Sequence, residues 1–122
     1  MLTTDFSAAA QDAVSRAKDL AGVREILLVH VIANEKDFNE AATKLNLLLK
    51  ELAGPGRKIT LHVLEGNPAE EILALAKKQD VSLIMMGSQG KSWSRQIRVG
   101  STTFDVARRA ESPVMVIRPK KS

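Results

Sequence analysis

The chain has 122 residues, the length of one domain, and a formal net charge of +4 from 18 Lys and Arg against 14 Asp and Glu. It has no cysteine, which excludes disulfides and thiolate zinc sites and suits a reducing cytoplasm. No apolar run approaches the roughly 18 residues of a membrane span. The mild basic excess and the few aromatic residues argue against nucleic-acid binding. We therefore expect one cytoplasmic domain spanning residues 1–122.

The first half of the chain predicts two strands and two helices. Residues 1–4 have the character of the end of a strand, so either the centre of the sheet is short or residues upstream of Met1 are missing. Ser7 predicts the cap of a helix that reaches about Leu20, with small apolar residues on one face. The nearly unbroken apolar run Glu25–Ile32 is typical of a strand covered on both faces. Phe38–Leu52 repeats apolar residues at helical spacing.

The second half predicts three strands and two further helices. Ile59–Leu64 alternates apolar and polar residues, as a strand does. A helix cap, a proline at the first helical position and a glutamate three residues after the cap predict a helix over Asn67–Gln79. Val81–Met86 is an apolar fourth strand, Ser101–Ala110 a fourth helix, and Val114–Ile117 a short fifth strand.

Strands that alternate with helices predict an α/β fold, in which a parallel sheet carries helices on both faces. Right-handed crossovers favour a doubly wound five-stranded parallel sheet in the order 3-2-1-4-5 with four helices. Ligands bind such sheets at the carboxyl ends of the strands, near the switch point. Asp5 follows the first strand and a glycine-containing loop follows the fourth, so both are expected at one crevice.

That loop has the spacing of an anion-binding turn. Gly87 and Gly90 follow the fourth predicted strand, and Gly100 precedes Ser101. Without side chains, the loop lets backbone N–H groups surround an anion, and Ser101 is expected to cap a helix whose amino end attracts phosphate. The spacing is neither that of a P-loop nor that of the dinucleotide fingerprint. Alternatively, the glycines serve only turns and a cap.

The pattern Gly-x2-Gly-x9-Gly-Ser resembles the nucleotide-binding motif of the universal stress protein family, in its ATP-binding branch. The resemblance extends to Thr4-Asp5-Phe6-Ser7, to the second strand at Leu28–Ile32, to the turn at Glu65–Ala69 and to the segment Gly87–Ile117. It thus covers essentially the whole chain. It implies an adenine nucleotide alpha-hydrolase-like fold and a stress-response regulatory protein that binds ATP or AMP, with or without Mg²⁺.

The resemblance also implies the residues of the site. Asp5 would hydrogen-bond the nucleoside at the ribose or base edge, and Thr3 and Thr4 would line the same wall. Val31 would offer backbone groups to adenine, and Met86 an apolar surface to its ring. The phosphate loop would comprise Gly87, Gln89, Gly90, Gly100, Ser101, Thr102 and Thr103. Alternatively, Asp5 caps the first helix, Val31 and Met86 are ordinary core, and Ser101 is only a cap.

Several loop residues depart from the family pattern or have no assigned role. Thr3 stands where ATP-binding members often have proline, and Gln89 replaces the usual His or Arg between the first two glycines. These changes bear on affinity more than on the existence of a site. Trp93 could contact a partner or form a flap over the ligand. The loop cations that could neutralise phosphate are Lys91, Arg95 and Arg98.

No catalytic or metal-binding constellation is evident in the sequence. His30 and His62 lie on different predicted strands without paired ligand spacing, so each is expected to be a packed, hydrogen-bonded histidine. We expect a binding module with at most weak ATP hydrolysis.

The apolar fifth strand would lie at a sheet edge, which invites pairing of two copies through Val114–Arg118. The family resemblance implies the same homodimer. Two other functions stay open, namely a nucleotide-independent interaction module and a nucleotidyl or phosphoryl transferase. The downstream protein partner is unknown.

Overall fold

The structure, a computed structural model, describes residues 1–88 and 100–118. These residues form an α/β fold with a five-stranded parallel sheet in the order β3-β2-β1-β4-β5, which confirms the predicted topology. The elements are β1 (Leu2–Thr3), α1 (Ala8–Asp19), β2 (Glu25–Ile32), a 3-10 turn (Glu35–Asp37), α2 (Phe38–Leu52), β3 (Lys58–Glu65), α3 (Pro68–Lys78), β4 (Ile84–Gly87), α4 (Ser101–Arg109) and β5 (Val114–Ile117). In this part of the chain, no helix is both long and apolar enough to cross a membrane.

The two faces of the sheet carry separate aliphatic cores. On one face, α1 and α2 pack against the strands, with Val14, Leu28 and Leu45 completely buried. On the other, α3 and α4 cover Ile84, and Val106 of α4 is equally buried. Burying each such side chain stabilises the fold by about 1.5–3 kcal/mol. The sheet is therefore covered on both sides, as its apolar strands predicted.

The central strand β1 is short, in agreement with the sequence. Leu2 pairs with Leu28 of β2 and with Met85 of β4, while β2 continues beside β3 back to Glu25. The Met1 ammonium group donates a hydrogen bond to the Leu83 carbonyl oxygen at 2.7 Å. Burial of this group lowers the pKa of the Met1 amine. A cavity of about 480 Å³ lies beside it at the amino ends of the strands.

Local capping signals set the starts of α1 and α3. The Ser7 hydroxyl accepts a hydrogen bond from the Ala10 N–H at 3.2 Å, and the Asn67 side chain accepts one from the Glu70 N–H at 3.1 Å. Pro68 occupies the first turn of α3, where its missing N–H costs nothing. Both predicted starts are confirmed because these signals act within four residues of sequence.

The predicted start of the fourth strand at Val81 is wrong. The Val81 N–H still donates to the Ala76 carbonyl oxygen of α3 at 3.1 Å, and Asp80 has a left-handed backbone with φ 48. The ladder with β5 starts only at Ile84, whose N–H donates to the Pro113 carbonyl oxygen at 2.9 Å. Val81 is apolar because it packs in the α3 and α4 core, not because it belongs to the strand.

The predicted cap of α4 is also wrong. Gly100 is the N-cap, with extended backbone and no side-chain cap, and Ser101 is the first helical residue. The Phe104 N–H donates to the Gly100 carbonyl oxygen at 2.9 Å, which starts the helix one residue earlier than a Ser101 cap would allow. The exposed Ser101 side chain thus stands at the first turn of the helix.

Candidate functional site

A crevice of about 530 Å³ opens at the carboxyl ends of β1, β2 and β4. It lies where the sequence places the switch point of the doubly wound sheet. Residues at the ends of these strands and at the start of α4 line it, although they are far apart in sequence. The predicted site residues on its wall are Thr3, Thr4, Asp5, Val31, Met86, Gly87, Gly100, Ser101, Thr102 and Thr103. The predicted Gln89 and Gly90 lie outside the described residues.

The loop between β1 and α1 carries Asp5 into the crevice. The Ser7 N–H donates to Oδ1 of Asp5 at 2.9 Å, and the Phe6 N–H donates to Oγ1 of Thr4 at 3.0 Å. Asp5 thus closes a turn in front of α1, while Ser7 caps the helix itself. Phe6 has φ 64, a left-handed conformation that costs a non-glycine residue about 1–2 kcal/mol. Backbone strain of this kind concentrates at functional sites.

A wall of the crevice that the sequence did not predict is built from Phe6, His30 and Lys44. Nδ1 of His30 lies 2.7 Å from the Thr4 carbonyl oxygen, and the His30 and Phe6 ring centroids are 4.3 Å apart. Nζ of Lys44 lies 5.2 Å from the centroid of the Phe6 ring. The prediction that His30 is packed and hydrogen-bonded is confirmed. In the sequence, the position of His30 directly before Val31 in β2 was the feature that could have indicated its place beside the site.

The apolar side of the crevice combines Val31 and Met86 with Pro68 and Ile72 of α3. Met86 is only 4% exposed, and Val31 packs against the core between the sheet and α3. Both residues therefore belong to the core and also line the crevice. The structure thus agrees with the alternative interpretation that they are core residues. An apolar surface between the sheet and a helix suits a flat ring system.

Gly87 lies in the crevice wall for a packing reason. A Cβ built on it would lie 2.8 Å from both the carbonyl carbon and the carbonyl oxygen of Ala9 in α1. Real Cβ atoms do not approach backbone so closely, and thus only glycine lets α1 cross β4 here. The Gly87 carbonyl oxygen accepts a hydrogen bond from Oγ1 of Thr103 at 2.8 Å.

The amino end of α4 points its first amides toward the crevice. The N–H groups of Ser101, Thr102 and Thr103 precede the first intrahelical hydrogen bond, so the helix offers them no acceptor. Its first turn contains no acidic residue, so no side chain of that turn compensates the positive end of the helix dipole. Such a helix end favours an anion.

Two buried hydroxyl groups lie beside the start of α4. The Thr103 proton is already engaged by Gly87, so toward a phosphate Thr103 offers its backbone N–H. Ser88 is 2% exposed, and its Oγ has no hydrogen-bond partner among residues 1–88 and 100–118. The residues for which the sequence suggested phosphate neutralisation or a flap, Lys91, Trp93, Arg95 and Arg98, lie outside the described residues.

The other titratable groups of the described residues are spread over the fold. Within the described ranges, no group of three or more His, Cys, Asp or Glu side chains is placed to hold a metal ion. His62 on β3 is partly buried, and burial lowers its pKa. Its Nε2 atom is buried and has no hydrogen-bond partner among the described residues. The prediction that His62 is hydrogen-bonded is therefore wrong at this atom.

Comparison with known proteins gives one family. The universal stress protein family matches residues 1–118. Universal stress protein MJ0577 of Methanocaldococcus jannaschii is 37% identical over 83 residues, which are 68% of this chain and 51% of that protein. A second universal stress protein of the same organism, MJ0531, matches over 50% of its length, so the chain spans about half the length of these curated relatives.

Solved structures agree with the sequence matches. The structure of MJ0577 superimposes with a TM-score of 0.91 at 32% identity, covering 99% of this chain and 95% of that chain. A universal stress protein from Archaeoglobus fulgidus, solved in complex with dAMP, has a TM-score of 0.74 at 25% identity and covers 94% of this chain and 93% of that chain. Because the family match runs from residue 1 to residue 118, this chain belongs to the universal stress protein family.

Proposed function

We propose that this protein binds ATP or AMP in the crevice and acts as a regulatory binding module in a stress response. The observation that carries the proposal is the convergence of four distant parts of the chain on one cavity. The loop at Asp5, the apolar pair Val31 and Met86, and the amino end of α4 all line it. Each segment has chemistry that one part of an adenine nucleotide requires.

The crevice fits such a ligand in size and in polarity. Its volume of about 530 Å³ is within the usual range for small-molecule sites. The Asp5 carboxylate can accept hydrogen bonds from ribose hydroxyls, and Met86 offers an apolar face to the ring. The amides of Ser101 and Thr102, which have no acceptor within the helix, can hold phosphate oxygens. Mg²⁺ would enter with the phosphates of ATP, and Asp5 is one of the carboxylates that line the crevice.

The Archaeoglobus fulgidus relative supports an adenine nucleotide as ligand, since it was solved in complex with dAMP. We place the protein in the cytoplasm and treat residues 1–122 as one domain, in keeping with its composition and with the family match. A binding role is favoured over catalysis because two polar side chains of the crevice, Asp5 and His30, hold the loop between β1 and α1. Asp5 accepts from Ser7, and His30 is bonded to Thr4.

We further propose that two copies pair through β5. This strand lies at the edge of the sheet, and its Met115 side chain is 37% exposed. Val114 and Val116 are half-buried on the other face of the strand. An apolar edge strand with free backbone groups is a template for pairing with a second strand. A second copy of the same strand would satisfy both the backbone groups and the apolar side chains.

The test is a thermal melt with and without ATP and magnesium, with mass analysis of any nucleotide released on denaturation. Ligand at about a hundred times its dissociation constant stabilises by roughly 2.7 kcal/mol, or about 10 °C for this size. Asp5→Ala should abolish most of the shift, whereas Asp19→Ala at the exposed far end of α1 should keep it.

A second function follows if the parent protein shows neither a shift nor released nucleotide. The protein would then be a nucleotide-independent interaction module of the same fold, an outcome that the short β1 favours. Steady turnover of ATP that one point substitution abolishes would instead indicate an enzyme of nucleotidyl or phosphoryl transfer. Either result overturns the proposed binding role.

A further inference from the structure

We propose that His30 is a positioning residue for the crevice, which holds the loop between β1 and α1 so that Asp5 faces the ligand. The proposal rests on the proposed function for the identity of the ligand. The fixation of the loop can be measured without any ligand, so the two proposals can fail separately. The argument starts from the strained backbone at Phe6.

Phe6 adopts a conformation that a chain of L-residues avoids. Its φ of 64 persists only where surrounding contacts over-determine it. Two of those contacts lie within the loop, from the Phe6 N–H to Oγ1 of Thr4 and from the Ser7 N–H to Oδ1 of Asp5. Both bonds join residues two positions apart, so they tie the loop to no other part of the fold. The fixed element must therefore lie outside the loop.

Strand β2 supplies that element at two successive residues. The Val29 carbonyl oxygen accepts from the Thr4 N–H at 2.9 Å, and Nδ1 of His30 lies 2.7 Å from the Thr4 carbonyl oxygen. Because a carbonyl oxygen can only accept, Nδ1 of His30 carries the proton. Thr4 is thus held at its N–H, at its carbonyl oxygen and at its hydroxyl. The last two bonds connect His30 to Phe6 through one residue.

The His30 ring also contacts the strained residue directly. Its centroid lies 4.3 Å from that of Phe6, with the planes inclined by 40°. Lys44 of α2 lies over the Phe6 ring at 5.2 Å and is itself held by Glu40 at 3.1 Å. The Phe6 ring therefore contacts His30 of β2 and lies near Lys44 of α2. Rotation of the Phe6 backbone would break the ring contact with His30.

Asp5 lies between the two residues that His30 holds. Its backbone joins the carbonyl group of Thr4 to the amide of Phe6, so a change at either neighbour turns the Asp5 carboxylate. His30 lines the same crevice but acts on the ligand through Asp5. Removing the Nδ1 proton donor should release the loop and weaken the ligand contact at Asp5 without altering the amino end of α4.

The first measurement is amide hydrogen exchange in the ligand-free protein. His30→Leu should accelerate exchange of the Phe6 and Ser7 amides by at least about tenfold, because both bonds depend on the held loop. His62→Leu is the matched control, since His62 is a partly buried strand histidine that does not line the crevice. Unchanged Phe6 and Ser7 exchange in His30→Leu overturns the proposal.

Two conservative variants test the role of the ring nitrogen. The His30→Asn side chain can place an N–H near the Nδ1 position, whereas that of His30→Gln reaches the Nε2 position. We expect exchange at Ser7 in His30→Asn to stay closer to that of the parent than in His30→Gln. An equal or larger acceleration in His30→Asn contradicts the proposal, and these variants remain informative if His30→Leu does not fold.

The second measurement is a cycle of ATP affinities for the parent, His30→Leu, Asp5→Ala and the double variant. If His30 acts through Asp5, the double variant binds no more weakly than Asp5→Ala alone. Additive losses would show an independent effect of His30 and overturn the proposal. If the parent does not bind ATP, the proposed function fails, and the hydrogen-exchange result alone decides the role of His30.

Discussion

At the residue scale, Gly87 shows that one glycine can serve a motif and a packing contact together. Its place at the start of the glycine pattern predicted a role in holding phosphate. The structure adds that α1 passes over it so closely that a Cβ would lie 2.8 Å from the backbone of Ala9. No left-handed backbone is involved at this position. Glycine is required at this position because β4 and α1 approach each other too closely for a Cβ atom.

Gly87→Ala should therefore destabilise the protein by about 1–3 kcal/mol, the usual cost of forcing an extra carbon into a well-packed core. Gly54→Ala is the matched control, because a Cβ at Gly54 meets nothing within 4 Å. Chemical denaturation of both variants measures the difference. Equal stability of the two would show that α1 can move away from β4 at no cost.

His62 makes stability depend on pH. Burial lowers the pKa of its imidazole from the ordinary value of 6.5, so the folded state binds fewer protons than the unfolded state just below that pH. The free energy of unfolding then rises with pH across this interval. The stabilisation is complete above pH 6.5 and is lost as the pH falls toward the folded-state pKa.

His62→Leu should remove this part of the pH dependence. We expect the variant to lose less stability than the parent between about pH 7.5 and about pH 5, as measured by urea unfolding at several pH values. Because His62 is only partly buried, solvent screening keeps the difference small. Parallel stability curves for the two proteins would assign the dependence to other groups.

At the scale of elements, Arg57 joins the carboxyl ends of α1 and α2. Its guanidinium group donates to the carbonyl oxygens of Lys18 at 2.9 Å, Leu20 at 3.0 Å and Leu52 at 3.2 Å, and its Nε to that of Val23 at 3.4 Å. These carbonyl groups follow or end helices, where the helix dipole is negative and intrahelical donors are lacking. Nothing in the sequence around Arg57 predicts this contact.

Arg57→Met should lower the free energy of unfolding by about 2 kcal/mol, since several carbonyl groups lose a charged donor. Arg57→Lys should recover little, because one ammonium group cannot span four acceptors that a planar guanidinium reaches. Arg24→Met, at an exposed position nearby, should change stability by less than about 0.5 kcal/mol. Denaturant unfolding distinguishes these cases, and equal values for Arg57→Met and Arg24→Met would contradict the assigned role.

The boundaries of the elements show where local signals suffice. The start of α3 at Pro68 was predicted because Asn67 and Glu70 act within one turn. The start of β4 was not, because Val81 is apolar for packing while its amide still bonds to α3. Which apolar residues belong to a strand is decided by hydrogen bonds to a neighbouring strand, and these join residues distant in sequence.

At the scale of the whole molecule, the proposed pairing through β5 makes a prediction about mass in solution. Val116→Lys places a charge on the edge strand and should convert a dimer into a monomer. Thr60→Lys on β3, the opposite edge of the sheet, is the matched control and should leave the mass unchanged. Light scattering at micromolar concentration measures both. A monomeric parent, or a Val116→Lys variant of unchanged mass, would contradict pairing through β5.

The sequence by itself determined the order of the elements and the parallel sheet, and it predicted that Asp5 and the glycine-containing loop meet at one crevice. Periodicity, capping residues and turn residues act over a few neighbours, and the topology follows from their order. Only the tertiary structure decided that Gly87 lies under α1 and that His30 supports the loop carrying Asp5. Both facts depend on contacts between elements that are far apart in sequence, and no local pattern of residues specifies such contacts.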